Sequence, residues 1–169
     1  ERKVIENISD WDFYGESVYK DVIGPNYYSF NIGAWHVMIL DNIITGGPVK
    51  KDGKLNYQFT YRIDERQMEW IKKDLSFMPK NTPIMVGMHV PPLKYTGMKD
   101  GVLETDYDFE NAKEFLGCFA EFNQVQIFAG HTHRSSNYVY SDNITLHSLP
   151  SASAVSWKIN GETSRLISE

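Results

Sequence analysis

The chain has 169 residues, of which 41% are hydrophobic and 23% charged, enough for one domain with a real core. Lys and Arg number 17 against 22 Asp and Glu, and the net charge of −5 excludes the electrostatic footprint of a nucleic-acid or anionic-membrane binder. No apolar run approaches the ~20 residues of a membrane span, and the single cysteine, Cys118, excludes an internal disulfide.

The chain begins Glu1-Arg2-Lys3 with no initiator methionine, as a trimmed or partial product would. Asn7 and Asn143 head Asn-x-Ser/Thr triplets, which matter only in a glycosylating secretory route. Gly24-Pro25-Asn26 marks a turn. Tyr28 to Ile32 and His36 to Asp41 read as a hairpin, and the continuous run Val37-Met38-Ile39-Leu40 reads as a strand covered on both faces. Residues 45–60, with Gly46, Gly47, Pro48 and Gly53, read as a loop with a short strand at Tyr57–Tyr61.

A helix follows. Asp64 and Gln67 have capping-box spacing, Met68, Ile71, Leu75 and Met78 recur on one face, and Pro79 lies just beyond. Ile84 to Met88 is the next predicted strand, stopped by Pro91-Pro92. Residues 93–107 read as a second loop. Phe109, Ala112, Phe115, Leu116, Phe119 and Phe122 predict a helix from about Phe109 to Phe122, capped by Asp108, with Cys118 packed inside it. Val125 to Ala129 is a strand, and Asn137–Tyr140 with Ile144–Leu149 a hairpin. Strands alternating with helices, with a strand pair at the end, argue for an α/β layered domain.

Two predicted strands end in histidine. His89 follows Ile84–Met88, and Gly130-His131-Thr132-His133 follows Val125–Ala129. Ligands in open α/β sheets collect at the carboxyl ends of strands, so these three imidazoles are candidate metal ligands. In an extended segment His131 and His133 would point to one side, ~6.6 Å apart, and could share one metal or serve two neighbouring ions. The bland alternative is a pair of surface histidines on a turn. His36 opens a strand, which puts it at the opposite end of a parallel sheet and favours a structural role. His147, beside Leu146 and Leu149, reads as a packed, hydrogen-bonded histidine with a supporting role open to it.

Three neutral imidazoles do not balance two divalent cations, which need carboxylates. Asp41 closes a strand without a suitably spaced partner. Asp106 and Asp108 sit where helix capping explains them, and Asp10 and Asp12 fall in an irregular N-terminal stretch. The residues alone offer half of a metal site.

Gly130-His131-Thr132-His133 with the upstream His89 resembles the last two motifs of the calcineurin-like metallophosphoesterases. Gly24 to Phe30, leading into Val37-Met38-Ile39-Leu40-Asp41, and the helix with Gln67 and Trp70 are similar to the corresponding segments of bacterial members. The resemblance covers roughly residues 20–155. It implies an α/β chain forming half of a four-layer α-β-β-α metallophosphoesterase sandwich, with a mixed sheet and flanking helices. His89 and His131 would bind one ion and His133 the other. The family's N-terminal Asp-x-His, its bridging aspartate and its Gly-Asn-His-Asp/Glu motif do not occur in this sequence, so no catalytic residue is expected in it.

The resemblance further implies residues 1–155 as the C-terminal part of a catalytic domain and 156–169 as a tail or junction to a further module. The intact protein would use two divalent ions (Mn, Fe or Zn) to activate a water against a phosphate mono- or diester, and the half-site alone is expected to hold none. The substrate would be a phosphorylated compound chosen by residues 43–60 and 93–107. A secreted or periplasmic location is expected by likeness to larger bacterial relatives, and self-association of the half-domain through an exposed sheet edge and apolar face is a further expectation. The rival readings are a non-catalytic binding or regulatory module of the same fold, and a zinc protein with one three-histidine site.

Overall fold

The computed structural model describes residues 16–51, 54–99, 102–133 and 135–151. Helix α1 (Glu16–Val22) leads to β1 (Tyr28–Ile32) and β2 (Trp35–Ile39), an antiparallel hairpin whose turn holds Gly33 at φ +57. That backbone conformation favours a residue without Cβ. Next come β3 (Ile43–Lys51), β4 (Lys54–Tyr61) and helix α2 (Glu65–Ser76). Strands β5 (Ile84–Met88), β6 (Leu93–Lys99) and β7 (Val102–Tyr107) precede helix α3 (Ala112–Gly117). The described part closes with β8 (Val125–Ala129), β9 (Ser136–Ser141) and β10 (Ile144–Ser148).

Six strands form one mixed sheet in the order β1-β2-β5-β8-β10-β9. Strands β2, β5, β8 and β10 run parallel, and β1 and β9 pair antiparallel at the edges. The α/β mixed sheet with flanking helices is the architecture expected from the sequence.

One face of this sheet carries Met38, Ile84, Val86, Val125, Ile127, Ile144 and Leu146, all buried against Met68, Ile71 and Leu75 of α2 and Ala112, Phe115 and Leu116 of α3. Phe115 lies between Phe109 and Phe119, at centroid distances of 5.8 and 5.1 Å. The other face presents Tyr28, Phe30, Ile32 and Val139 to solvent, and the first two rings stack at 6.2 Å. Apolar side chains exposed along the edges of a sheet face make it one that a further layer can cover. Among the described residues no helix is long and apolar enough to cross a membrane.

Three expectations are corrected. Residues 45–60 are not a loop, because β3 and β4 pair as a ribbon with a register shift between Thr45 and Pro48. Residues 93–107 likewise pair as β6 and β7, with a shift between Tyr95 and Gly97. Each ribbon is a two-stranded sheet by itself, so no neighbouring strands impose a strict apolar alternation on it. The helix expected over Phe109–Phe122 is α-helical only at α3. Around it the chain advances by three-residue turns: Ala112, Cys118, Phe119, Ala120 and Phe122 each donate their backbone N–H to the carbonyl three residues earlier. The N-cap is Asn111 rather than Asp108, and its side chain makes no capping bond. It instead accepts from the Ile63 N–H at 3.0 Å and donates to the Ile63 carbonyl at 2.7 Å.

Helix α2 begins as expected, with the Asp64 carboxylate accepting the Gln67 N–H at 2.7 Å. The reciprocal half of the box is absent, because the buried Gln67 side chain reaches β2's exit instead. It accepts the Asp41 N–H at 3.0 Å and donates to the Asp41 carbonyl. Gln67→Leu keeps the volume but orphans both backbone groups. It should lower stability by about 2–3 kcal/mol in urea denaturation, and a loss within ~0.5 kcal/mol, as for an ordinary surface site, would show that the clasp contributes nothing.

Candidate functional site

The parallel pairing of β5 and β8 places Met88 opposite Ala129. The residues that follow therefore leave the sheet side by side: His89 from β5, and Gly130 then His131 from β8. The Gly130 N–H donates to the His89 carbonyl at 3.0 Å, continuing the ladder beyond both strands. The His89 and His131 rings lie 5.3 Å apart, edge to face. Tyr61, the last residue of β4, packs its ring against His131 at 5.0 Å.

His133 stands two residues on, but not in extended geometry. His131 and His133 have φ of 62° and 56°, so the spacing expected for a strand does not apply. Both are left-handed, which costs a residue with a Cβ roughly 1–2 kcal/mol. Between them the Thr132 N–H closes onto the Gly130 carbonyl at 2.7 Å, and the Thr132 hydroxyl meets that of Ser148 at 2.8 Å. Strain of this kind collects at functional sites. His89 stays partly exposed, yet desolvation and then the charges His131 and His133 can carry hold its imidazole below the ordinary histidine value. A neutral imidazole keeps a lone pair free for a metal.

Asn42, the residue after Asp41, anchors this loop. Its side chain, 1% exposed, donates to the Val90 carbonyl at 2.7 Å and accepts the Val90 N–H at 3.1 Å. The signal was an amide interrupting the apolar run Val37–Ile44, where a buried polar group must find partners.

The other histidines take the structural roles expected. His36 is buried at the start of β2, with its ring nitrogens 2.8 Å from Asn31 Oδ1 and 2.8 Å from Asp74 Oδ2. His147 stacks on Phe128 at 4.5 Å, its nitrogens facing Asn137 and Gln126. Asn143, the second glycosylation candidate, spends its amide on the Phe119 and Phe122 carbonyls at 3.0 and 2.7 Å. Asn7, Asp10, Asp12 and the segment 156–169 lie outside the described residues.

The carboxylates weighed as charge-balancing ligands are engaged elsewhere. Asp41 accepts from Asn26 at 3.0 Å and from the Ile43 N–H at 3.2 Å. Asp106 accepts from the Tyr107 N–H, and Asp108 pairs with Lys94. Among the described residues no group of three or more His, Cys, Asp or Glu is arranged to hold a metal ion. That includes His89, His131 and His133: their imidazole nitrogens suit zinc or iron in kind, but no carboxylate stands with them to supply compensating charge.

No family model matches the chain, and no curated protein matches it. Among solved structures it is similar to a dimetal phosphatase from Danio rerio, with 14% identity and a TM-score of 0.51, covering 85% of this chain and 52% of that one. It is also matched to the sulfate thiohydrolase SoxB of Thermus thermophilus in complex with glycerol, with 14% identity and a TM-score of 0.35, covering 76% of this chain and 21% of that one. The chain spans about half the length of the dimetal phosphatase, and the likeness to it is one of fold. The chain carries the mixed α/β fold of part of such an enzyme.

The strain in the histidine loop has a measurable consequence. His131→Gly should be about 1 kcal/mol more stable than His131→Ala, because glycine accepts the left-handed backbone that alanine resists. Denaturant unfolding of the two variants measures this, and equal stabilities would remove strain from the account. Asn42→Leu should speed amide exchange at Val90 without unfolding the sheet, and unchanged protection there would show that the clamp does not hold the His89 loop.

Proposed function

We propose that the chain is the C-terminal half of the catalytic domain of a two-metal phosphoesterase of the calcineurin-like type. The observation that carries this is the convergence of His89 and the strained His131–His133 loop at the carboxyl ends of two adjacent parallel strands. In this reading His89 and His131 give nitrogen donors to one divalent ion and His133 to the other. Such ions supply Lewis-acid polarisation of phosphoryl oxygens and lower the pKa of water.

The chain's own residues orient and hold. Asn42 and the Gly130–His89 hydrogen bond hold the backbone from which the His89 ring projects, and the Tyr61 ring packs against that of His131. Bridging carboxylates, the acid for the leaving group and the second sheet would come from sequence other than that given. That accords with the share of the dimetal phosphatase that the chain spans. Residues 1–155 would then belong to the catalytic domain, and 156–169 would lead towards a further module. The apolar outer face carrying Phe30, Ile32 and Val139 would meet the second sheet or, in the isolated chain, a second copy of itself.

The test uses the product of the full parent gene, loaded with manganese, iron or zinc and assayed on an aryl phosphate. His131→Ala and His133→Ala should each lower bound metal, measured by elemental analysis, and should abolish turnover. Unchanged metal content in both variants would overturn the ligand assignment. The chain alone should show no turnover above the metal in buffer, and robust hydrolysis by it would contradict the half-site reading.

A further inference from the structure

Beside the histidine loops lies a cavity of about 340 Å³ that none of the roles above uses. Its floor is sheet: Ile127 and Ala129 of β8 and Leu146 of β10, each at most 6% exposed. Pro91, Pro92 and Tyr138 add flat surfaces to its lining. Tyr138 pairs with Leu146 across β9 and β10, which sets its ring over the same face as that floor. Polar residues line it as well, among them Thr132, Ser136, Asn137, His147 and Ser148, while Lys94 is held by Asp108 at 3.4 Å.

Both histidine-bearing loops contribute to this cavity. Pro91 stands two residues after His89, and Thr132 stands between His131 and His133. A volume in the small-ligand range with an apolar floor and a few hydroxyls in its lining is the form of a ligand site. Flat proline and tyrosine surfaces suit a planar ring over a flexible polar chain. A sugar laid on Ile127, Ala129 and Leu146 would turn the hydroxyls of that face against side chains that offer no partner, a cost that a planar apolar ring does not meet.

We propose that this cavity receives the aromatic group of the substrate, so that the chain belongs to an enzyme of aryl phosphoesters. The choice of the phosphoester rests on the reading under Proposed function, whereas the choice of an aromatic occupant rests on the cavity. The ring would lie against Tyr138 and the prolines, with its phosphoryl end directed past Thr132 towards the histidines. Of the two segments expected to choose the substrate, this assigns the task to residues 93–107, through Leu93, Lys94 and Thr105, and gives none to the ribbon 43–60.

The experiment follows the methyl NMR signals of Ile127, Ala129 and Leu146 in the metal-free chain during titration with 2-naphthol, 2-naphthyl phosphate and glucose 6-phosphate. The two naphthyl compounds should give saturable shifts of these methyls, and glucose 6-phosphate none. Thr105→Trp plugs the mouth from the β6–β7 ribbon without disturbing the floor, and should weaken naphthol binding by roughly tenfold or more. Ala129→Leu, which fills the floor, should do the same where it folds. Absence of shifts with naphthol, equal shifts with glucose 6-phosphate, or unchanged binding in Thr105→Trp would each overturn the proposal. Because the titration needs no metal, loss of the two-metal reading would leave a naphthol response intact, and loss of the cavity reading would leave metal binding intact.

Discussion

The site depends on the parallel register of β5 and β8. With Met88 opposite Ala129, the chain leaves both strands at the same height, and one further hydrogen bond, from Gly130 N–H to His89 carbonyl, carries the pairing into the loops. A shift of one residue would turn every side chain of one strand to the other face. It would separate the two imidazoles and send Val125 and Ile127 out of the core. The packing that holds Val86, Ile127 and Phe115 together therefore also holds His89 beside His131.

A line of polar contacts ties this height to the helix layer. Gln67 of α2 grips the backbone of Asp41 where β2 ends. The next residue, Asn42, grips the backbone of Val90. The residue before Val90 is His89, whose carbonyl takes the Gly130 amide. Each step uses a buried or half-buried amide that answers both a donor and an acceptor, or a backbone group that would otherwise be orphaned. The helix–sheet packing is non-directional, and these bonds convert it into a defined placement of the backbone that carries His89. That division is common where a site must be held more tightly than a core needs to be.

What the sequence made legible follows from where periodicity is enforced. Strands covered on a face by helices, such as Ile84–Met88 and Val125–Ala129, announce themselves as short apolar runs, and both were read to the residue. The ribbons β3–β4 and β6–β7 pair only with themselves, so glycines and lysines there read as loop. The apolar series Phe109, Ala112, Phe115, Leu116, Phe119 and Phe122 misleads because its recurring spacing of three suits successive tight turns as well as an α-helix. At the site, the position of His89 and His131 at strand ends was legible because strand ends are visible in sequence, and the structure brings their rings to 5.3 Å. The left-handed φ of His131 and His133 was not, since nothing in Gly-His-Thr-His marks non-glycine residues that accept strain. Asn42 was missed because its partners are backbone groups 48 residues away.

The two faces of the sheet are unlike in a way that bears on how the molecule works. The helix-side face is packed by α2 and α3, and a cavity lined by Ile127, Leu146 and Tyr138 of that face also takes in Thr132. The opposite face is apolar at its edges, with Phe30, Ile32 and Val139 exposed, but carries Gln126, His147 and Asn137 bonded to one another towards β9. Polar groups that satisfy each other can be covered at little cost, whereas unpaired ones would resist burial. That face is thus prepared for a second layer, and the cavity side is not. In the proposed reading the two halves of a metal centre close over the first, while the ring of the substrate enters from the second. The histidines stand at the strand ends between them, reached from both sides of one sheet.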